Sequence, residues 1–536
     1  MDDGRVHERR WWALAILCCS LGIISLDNNV LNLAIPTLVH DLHASTSQLQ
    51  YIIDGYTLVF AGLLLTTGSL GDRFGRKRFL GLGLGVFFVG SALSAFATQP
   101  WELIATRALM GIGGSLIMPA TLSLLTNIFT DPRERGRAIG WWAAVAGAGS
   151  AVGPLIGGVL LRYFWWGSVF LINLPFVAIA LIAGRFVLPE SRDEHPGKLD
   201  PIGALLSIVA LVAVLWAIIE SPVNGWSDPA VTGVLAFGVV VFIAFVRWEL
   251  RVEEPMLDVR LFENRRFTAA SSTLGLVFFA LFGSGFIFSQ YMQTVLGYTP
   301  LQSSIRLLPM PVAMLIVSTQ APRVVERIGS KVVVAVGLSL ITLGMTIAAF
   351  LPAHHGLVHA LIGMCIMSSG MGLTMAPATE SVMGALPPSK AGVGSAVNDA
   401  TRYVGGSLGV AVIGSILSAS YRPAIGRTLA PFHLSASGMA TARDSIGGAV
   451  QVASTLPGRL AGQAIETARA QFVHAMRPSL LFSAAVAIVA LVVVVAFLPA
   501  RAGDAREPEE GALDGLASLT FAEAQGQLEI DAEAAG

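Results

Sequence analysis

Long apolar stretches separated by short polar segments run through most of the chain. Each stretch has about 20 residues or more, the length of helix that crosses the roughly 30 Å hydrocarbon core of a bilayer. The alternating pattern of barrel strands does not appear, and backbone groups in lipid must bond internally, so the pattern predicts transmembrane helices. Fourteen spans are expected, over residues 12–34, 48–70, 79–98, 102–128, 136–160, 168–188, 202–220, 230–249, 267–295, 301–322, 332–351, 356–385, 391–419 and 478–498.

Polar segments divide these spans into groups. A polar hinge at residues 189–200 follows the sixth span, and such hinges commonly join two rigid bundles. The predicted fold class is an all-α integral membrane protein with two six-helix bundles and two inserted helices. The predicted parts are an N-terminal bundle at 1–190, a linker with two extra helices at 191–266, a C-terminal bundle at 267–500 with a long outer loop at 420–477, and a disordered cytoplasmic tail at 501–536.

Composition supports a membrane protein and narrows its partners. The chain is 54% hydrophobic and 13% charged, against about 25% charged residues in ordinary soluble domains. A net charge of −1 argues against a nucleic-acid partner. The three cysteines lie inside apolar stretches without metal-ligand spacing, so we expect neither a metal site nor a cofactor.

Basic residues are distributed unequally between the two sides of the predicted spans. Most of the 34 Lys and Arg residues fall on the side of the N-terminus, and short outer loops hold Arg162. Positive charge marks the cytoplasmic side of a membrane protein, so both termini are predicted to be cytoplasmic. Tryptophans are expected in the interfacial belts; they are Trp141, Trp142, Trp165 and Trp166.

Two glycine-containing motifs are candidates for conformational gating. In the first, which spans residues 68–78, small residues permit close helix contact, and Asp72 can sit at a helix N-terminus or pair with Arg76. The second lies in span five, where Pro154 permits a kink. The alternatives are a basic anchor that fixes topology and plain helix packing. The candidate gating residues are Gly68, Asp72, Arg73, Gly75, Arg76, Gly153, Pro154 and Gly157.

Ionisable residues inside the spans are the candidates for substrate and proton binding, because a charge at the bilayer centre is costly. Asp27 lies roughly 24 Å along a helix from Trp11 at 1.5 Å per residue. Asp54 and Arg107 enter their spans from the other side and reach a comparable level. Burial disfavours a charged carboxylate, whereas a nearby arginine favours it. We therefore predict that Asp27 and Asp54 bind the proton or a cationic substrate beside Arg107; the alternative is a permanent structural ion network.

The second half carries a similar acid–base pair. Asp399 and Arg402 are three residues apart and are expected to pair on one helix face. Asp399 is a candidate for the same proton and substrate chemistry, and Glu380, low in span twelve, is a weaker one.

The motifs, taken together, resemble those of a known transporter family. The string at 68–78, the pattern of residues 107–111, and the glycine-rich segment at 149–158 occur in the order seen in the fourteen-helix drug:proton antiporters of the major facilitator superfamily. Residues 27–36 and 166–175 also match this branch, and residues 52–58 and 255–262 are similar to exporters of quaternary ammonium compounds and cationic dyes. Some of those exporters have an acid where Met314 and Tyr403 stand here, which puts a preference for divalent cations in doubt.

The resemblance implies a proton-coupled exporter of amphipathic cationic drugs in a bacterial cytoplasmic membrane, with no cofactor. Its implied partners are a small-molecule drug, protons and the lipid bilayer. The resemblance does not decide whether an adaptor protein is also a partner. Exporters of a lipid or a self-made antibiotic are the alternative. Sequences of the form His-Glu-x-x-His and Gly-x-x-x-x-Gly-Lys do not occur, which argues against a zinc-dependent membrane enzyme and against ATP as the driving force.

Overall fold

A computed structural model describes residues 3–42, 46–192, 200–253, 255–386 and 390–499. Throughout these ranges the regular structure is helical. The first nine helices are α1 (Asp3–Asp41), α2 (Thr46–Phe74), α3 (Arg76–Ala95), α4 (Pro100–Ile128), α5 (Pro132–Tyr163), α6 (Ser168–Leu171), α7 (Asn173–Val187), α8 (Pro201–Asn224) and α9 (Pro229–Glu249).

The remaining helices follow a short 3-10 turn at Val259–Glu263. They are α10 (Arg265–Gln290), α11 (Pro300–Leu307), α12 (Pro309–Ile328), α13 (Ser330–Ala349), α14 (Leu357–Met383), α15 (Ala391–Thr428), α16 (Ala436–Asp444), α17 (Ile446–Ser454) and α18 (Arg459–Phe497). A π-helical turn, Tyr291–Val295, continues α10.

The local sequence explains where several helices begin. Proline occupies the first position of α5, α8 and α9, and in each case an aspartate precedes it and caps the helix. Proline suits this position because its missing N–H would have no intrahelical partner. The aspartate accepts backbone N–H groups that the first turn leaves free.

The helices match the predicted membrane spans. Among the described residues, 13 helical segments are long and apolar enough to cross a membrane. Helix α5, which is 32 residues long, lies at the fifth predicted span and brings the number to the fourteen that the apolar pattern predicts. The short α6 and α7 together form one of these segments, as do α11 and α12.

The helices pack into two groups with an inserted hairpin. In the first half, α4 packs on α2 and α3, and α1 packs on α5 and α7. In the second half, α10 packs on α15 and α18, and α14 packs on α12 and α13. The halves meet where α5 contacts α12 and where α15 contacts α2 and α4; the α8–α9 hairpin rests through α8 on α2 and α15.

The last two predicted spans are parts of longer helices. The apolar pattern predicts 391–419 and 478–498, but α15 continues to Thr428 and α18 already begins at Arg459. Helices α16 and α17 lie between them, α16 against α15 and α17 against α18. Residues 420–477 are therefore largely helical, and α18 runs through Pro478 without ending.

One end of the molecule carries a concentration of positive charge, and we call it the basic end. It includes the α2–α3 turn and the start of α5, with Arg73, Arg76, Lys77, Arg78, Arg133 and Arg135.

Candidate functional site

Asp27 and Arg107 form a buried ion pair in the first half. Arg107 Nη1 lies 2.5 Å from Asp27 Oδ2, and the two residues are only 1–2% exposed. Helix α1 supplies the carboxylate and α4 the guanidinium. The pairing that the sequence predicts is therefore present.

Neighbouring helices complete the hydrogen bonds of this pair. Asn173 Nδ2 donates to Asp27 Oδ1 at 2.9 Å and lies 3.1 Å from Ser91 Oγ. Arg107 Nε donates to the Ile52 carbonyl at 3.3 Å, and its guanidinium lies 4.5 Å from the Tyr56 ring centroid. Both oxygens of Asp27 thus have donors, and the network joins α1, α2, α3, α4 and α7.

Two predicted site residues have side chains outside the described set. Asp54 lies in α2 and Pro154 in α5, but their side chains are not among those described. The predicted meeting of Asp54 with Asp27 and Arg107 therefore stays a prediction. Gly153 and Gly157 are buried within α5.

Asp399 and Arg402 form a looser pair in the second half. They are 0% and 3% exposed, but Asp399 Oδ1 lies 3.7 Å from Arg402 Nη1. Asn398 Nδ2 donates to the same carboxylate oxygen at 3.2 Å. Arg402 Nη2 donates to Thr379 Oγ1 at 2.7 Å, so the guanidinium is held mainly by α14 and less by the carboxylate.

Three polar atoms at this second pair have no hydrogen-bond partner within the described part of the chain. They are Asp399 Oδ2, Asn398 Oδ1 and Arg402 Nε. An unpaired buried polar atom is costly, so each such atom in a folded protein calls for an explanation. Here the free positions are two acceptors and one donor, gathered on consecutive turns of α15. A proton on the carboxylate, or a bound polar or cationic group, would satisfy the acceptors.

Aromatic rings place this second pair at the contact between the halves. The Arg402 guanidinium lies 5.2 Å from the Trp142 ring centroid of α5 and 5.3 Å from that of Phe278. One residue further on, the Tyr403 ring lies 4.7 Å from that of Phe60 in α2. A change in the charge of Asp399 would therefore be felt by helices of both halves.

Trp142 corrects the expectation of four interfacial tryptophans. It is fully buried, with its indole N–H donating to Thr121 Oγ1 at 3.2 Å, and Trp166 is also buried. Trp141 and Trp165 are about half exposed, as an interfacial position requires. The expectation failed for Trp142 because adjacent tryptophans on a helix point in directions about 100° apart.

Asp72 joins the halves at the basic end. Its carboxylate accepts hydrogen bonds from the backbone N–H groups of Gly392 at 2.8 Å and Val393 at 3.0 Å. These groups open α15, so the negative charge sits at a helix N-terminus, where it is stabilised. Arg76 Nη2 lies 2.6 Å from the same carboxylate. Both contacts that the sequence offered as alternatives are present together; we call them the Asp72 latch.

Two glycines make the Asp72 latch sterically possible. A methyl group on Gly68 would come within 2.6 Å of the Gly392 carbonyl and of Ala396 Cβ, so α2 and α15 approach each other more closely than any larger residue allows. Gly75 has a φ of 116°, which is unfavourable for residues with a Cβ. Arg73 is partly exposed, and its guanidinium lies 5.6 Å from the Phe74 ring centroid.

A second bridge between the halves lies at the same end. Arg135 Nη2 of α5 lies 2.7 Å from Glu380 Oε1 of α14, and both side chains are about one-fifth exposed. Nearby, Ser318 Oγ donates to the Gly140 carbonyl at 2.8 Å. The sequence does not predict this pair, because Arg135 and Glu380 are 245 residues apart in the chain. The described contacts thus close the basic end between the halves.

A separate apolar cavity of about 810 Å³ opens beside the second half. It lies between the α8–α9 hairpin and helices α10 and α15, and only Ser272 and Thr401 contribute polar side chains to its lining. The lining includes Val397 and Ala400 of α15 but neither Asp399 nor Asp27.

Comparison with known proteins agrees with this architecture. Residues 17–410 match the Major Facilitator Superfamily. The chain belongs to this family. It is 37% identical over 495 residues to the multidrug efflux pump LfrA of Mycolicibacterium smegmatis, covering 92% of this chain and 97% of LfrA.

Other family members are similar over most of their length. The methyl viologen resistance protein SmvA of Salmonella typhimurium is 34% identical, with 87% of this chain and 93% of SmvA covered. The tetracenomycin C resistance and export protein of Streptomyces glaucescens is 32% identical, with 94% of each chain covered. Among solved structures, the proton:xylose symporter XylE has a TM-score of 0.60 at 12% identity, covering 92% of this chain and 96% of XylE. That likeness supports the fold alone.

Proposed function

We propose that this protein is a proton-coupled antiporter that exports amphipathic cationic drugs across the bacterial cytoplasmic membrane. The observation that carries the proposal is the Asp399 carboxylate, which is fully buried where the two halves meet and whose Oδ2 has no hydrogen-bond partner among the described residues. A buried carboxylate with one distant arginine is poised to hold either a proton or an organic cation.

Competition for this carboxylate supplies a coupling mechanism. When Asp399 is protonated, its own carboxyl group is uncharged, and Arg402 keeps its hydrogen bond to Thr379. When a cationic drug binds, it replaces the proton as the partner of the carboxylate. A ligand that binds two conformations unequally shifts their populations, so the inward proton gradient drives the drug outward.

The contacts at the basic end supply the gate in this mechanism. The Asp72 latch and the Arg135–Glu380 pair join the halves there. We place this end at the cytoplasm, because basic residues accumulate on that side of membrane proteins, and both termini with it. The described conformation is then closed to the cytoplasm, and drug loading requires these contacts to break.

The relatives support the substrate class. One is named for multidrug efflux and another for resistance to methyl viologen, which is an organic dication. Asp399 and the aromatic rings of Trp142 and Phe278 offer a negative charge and π-faces, both of which attract organic cations. The division at 190, 266 and 500 into two bundles, an inserted pair of helices and a tail remains part of the proposal, as does the bilayer as the lipid partner.

Ethidium efflux from energised cells tests this function. Cells that express the protein should lose ethidium faster than control cells, and a protonophore should stop the difference. Asp399→Asn should abolish ethidium efflux at unchanged expression. Glu326→Gln, which changes an exposed acid of the same half, is the matched control and should retain efflux. Protonophore-resistant efflux would refute proton coupling, and efflux by Asp399→Asn would refute the assigned carboxylate.

A dedicated exporter of a self-made antibiotic is the second candidate. Relatives named for tetracenomycin C export and for puromycin resistance favour it. Resistance of the same cells to a panel of polycyclic and nucleoside antibiotics distinguishes the two, since a dedicated exporter would protect against one of them and leave ethidium in the cell.

A further inference from the structure

Two carboxylates outside the proposed transport site face each other at the base of the inserted hairpin. Asp200 caps α8, and Glu249 ends α9. A methyl group on Gly203 would touch both Asp200 Oδ2 and Glu249 Oε1. The two carboxylate oxygens therefore border the same small space, which exists because residue 203 has no side chain.

Most of the hydrogen-bonding capacity of these carboxylates is already used. Asp200 Oδ1 accepts from Gly203 N at 2.8 Å, and both its oxygens lie 3.0 Å from the Trp248 indole nitrogen. Glu249 Oε2 accepts from Leu257 N at 3.1 Å. Glu249 is 2% exposed, and its Oε1 has no hydrogen-bond partner within the described residues.

Among the described residues, no positive charge balances the pair. The nearby titratable groups that act on Glu249 are the carboxylates of Asp200 and Asp258. The arginines of this region, Arg247, Arg251 and Arg260, are exposed, and in the described ranges neither Asp200 nor Glu249 is bridged to a basic side chain. Glu249 is buried and Asp200 is half-buried, and two carboxylates that share such a site cannot both ionise without a cost.

We propose that Glu249 carries a proton on Oε1 and donates it to Asp200 Oδ2, so that the pair is a proton-binding site of the inserted hairpin. This assignment explains why Oε1 finds no donor, since in the protonated form it is itself the donor. The titration belongs to the pair as a unit.

The shared proton fastens three segments together. Asp200 holds the start of α8, Glu249 the end of α9, and the Leu257 backbone the chain that leads to α10. Leu257 also lines the apolar cavity beside the second half. Loss of the proton would leave two negative charges that repel each other and would weaken this junction. The stability of the junction therefore depends on pH.

The purified full-length protein in detergent tests the proposal without any transport assay. The folded pair holds a proton that the unfolded chain releases, so stability falls as pH rises. We expect the unfolding temperature of the wild type to drop by several degrees from mildly acidic to mildly alkaline pH. Glu249→Gln keeps an N–H donor toward Asp200 but cannot titrate, so most of this drop should disappear. The exposed Glu253→Gln, four residues on, should behave as the wild type does.

Infrared spectroscopy gives an independent readout. The difference spectrum between wild type and Glu249→Gln should contain the carbonyl band of a protonated carboxylic acid, and that band should vanish at alkaline pH. Asp200→Asn, which keeps a helix cap, should also weaken the pH dependence because the opposing charge is gone. Coincident pH profiles of wild type and Glu249→Gln, or stabilisation by sodium over choline that Glu249→Gln removes, would overturn the proton assignment.

Discussion

The two halves of the molecule each bury an aspartate beside an arginine, but the two pairs are built differently. In the first half, Asp27 and Arg107 are 2.5 Å apart and Asn173 occupies the second carboxylate oxygen. In the second half, Asp399 and Arg402 are 3.7 Å apart, and one carboxylate oxygen has no partner in the part of the chain that the structure describes. A saturated pair holds helices in place, whereas an unsaturated pair has capacity for a ligand.

This contrast refines the interpretation that the sequence allowed. From sequence, Asp27 and Asp399 are both candidates for proton and substrate binding. The surroundings of Asp27 favour a structural role, because its hydrogen bonds join five helices. The surroundings of Asp399, at the contact between the halves, favour a role in proton and substrate binding.

Breaking the saturated pair is expected to have the largest effect on stability. Asp27→Asn leaves the Arg107 guanidinium buried without its counter-charge, which costs about 3–5 kcal/mol. We expect a large loss of folded protein, measured by fluorescence-detected size-exclusion chromatography.

The double variant Asp27→Asn with Arg107→Gln sharpens this test. It removes both charges and should recover much of the folded protein, because a neutral pair avoids the buried unpaired charge. Equal losses in the single and double variants would contradict a structural part for the pair.

The corresponding change in the second half should affect the fold less and stop transport. Asp399→Asn leaves Arg402 bonded to Thr379 and removes a longer charge contact of 3.7 Å, so the loss of stability should be smaller than that caused by Asp27→Asn. Efflux of ethidium should fall to the level of cells without the protein. If Asp399→Asn loses as much folded protein as Asp27→Asn does, the two pairs contribute alike to stability and the contrast between them is wrong.

Weakening the Asp72 latch should shift conformation more than stability. Asp72→Asn removes the charge that accepts two backbone N–H groups of α15, and hydrogen bonds to charged groups contribute about 1.5–3 kcal/mol each. Cysteines placed at the basic end should react faster with a water-soluble thiol reagent. Arg78→Gln, which alters a three-quarters exposed side chain, should leave that rate unchanged; equal rates in Asp72→Asn would argue against a gate here.

The second bridge at the basic end should have the smallest effect. Arg135 and Glu380 are partly exposed, and such ion pairs contribute about 1 kcal/mol or less. Glu380→Gln should raise thiol accessibility at the basic end only slightly. In the double variant Asp72→Asn with Glu380→Gln, the rise should be close to the sum of the rises in the two single variants. A Glu380→Gln effect larger than that of Asp72→Asn would reverse the order of the two contacts.

Much of the fold follows from the sequence, because the apolar spans and their end signals are local. Asp27 and Asp399 also stood out, since charge within a span is costly. The partners of the two ion pairs, Asn173, Thr379 and Trp142, did not stand out, because their contacts depend on how each helix is rotated about its axis. The hydrogen bond from Gly392 N to Asp72 joins positions 320 residues apart, and no local sequence pattern predicts it.

The ligand-binding role proposed for Asp399 can be tested most directly by measuring proton release from the purified protein. Ethidium is added to weakly buffered, detergent-solubilised wild type, Asp399→Asn and Glu326→Gln, and the pH of the solution is followed. The account predicts that wild type and Glu326→Gln release protons as the drug binds, and that Asp399→Asn releases none. Equal proton release by Asp399→Asn and wild type would contradict it.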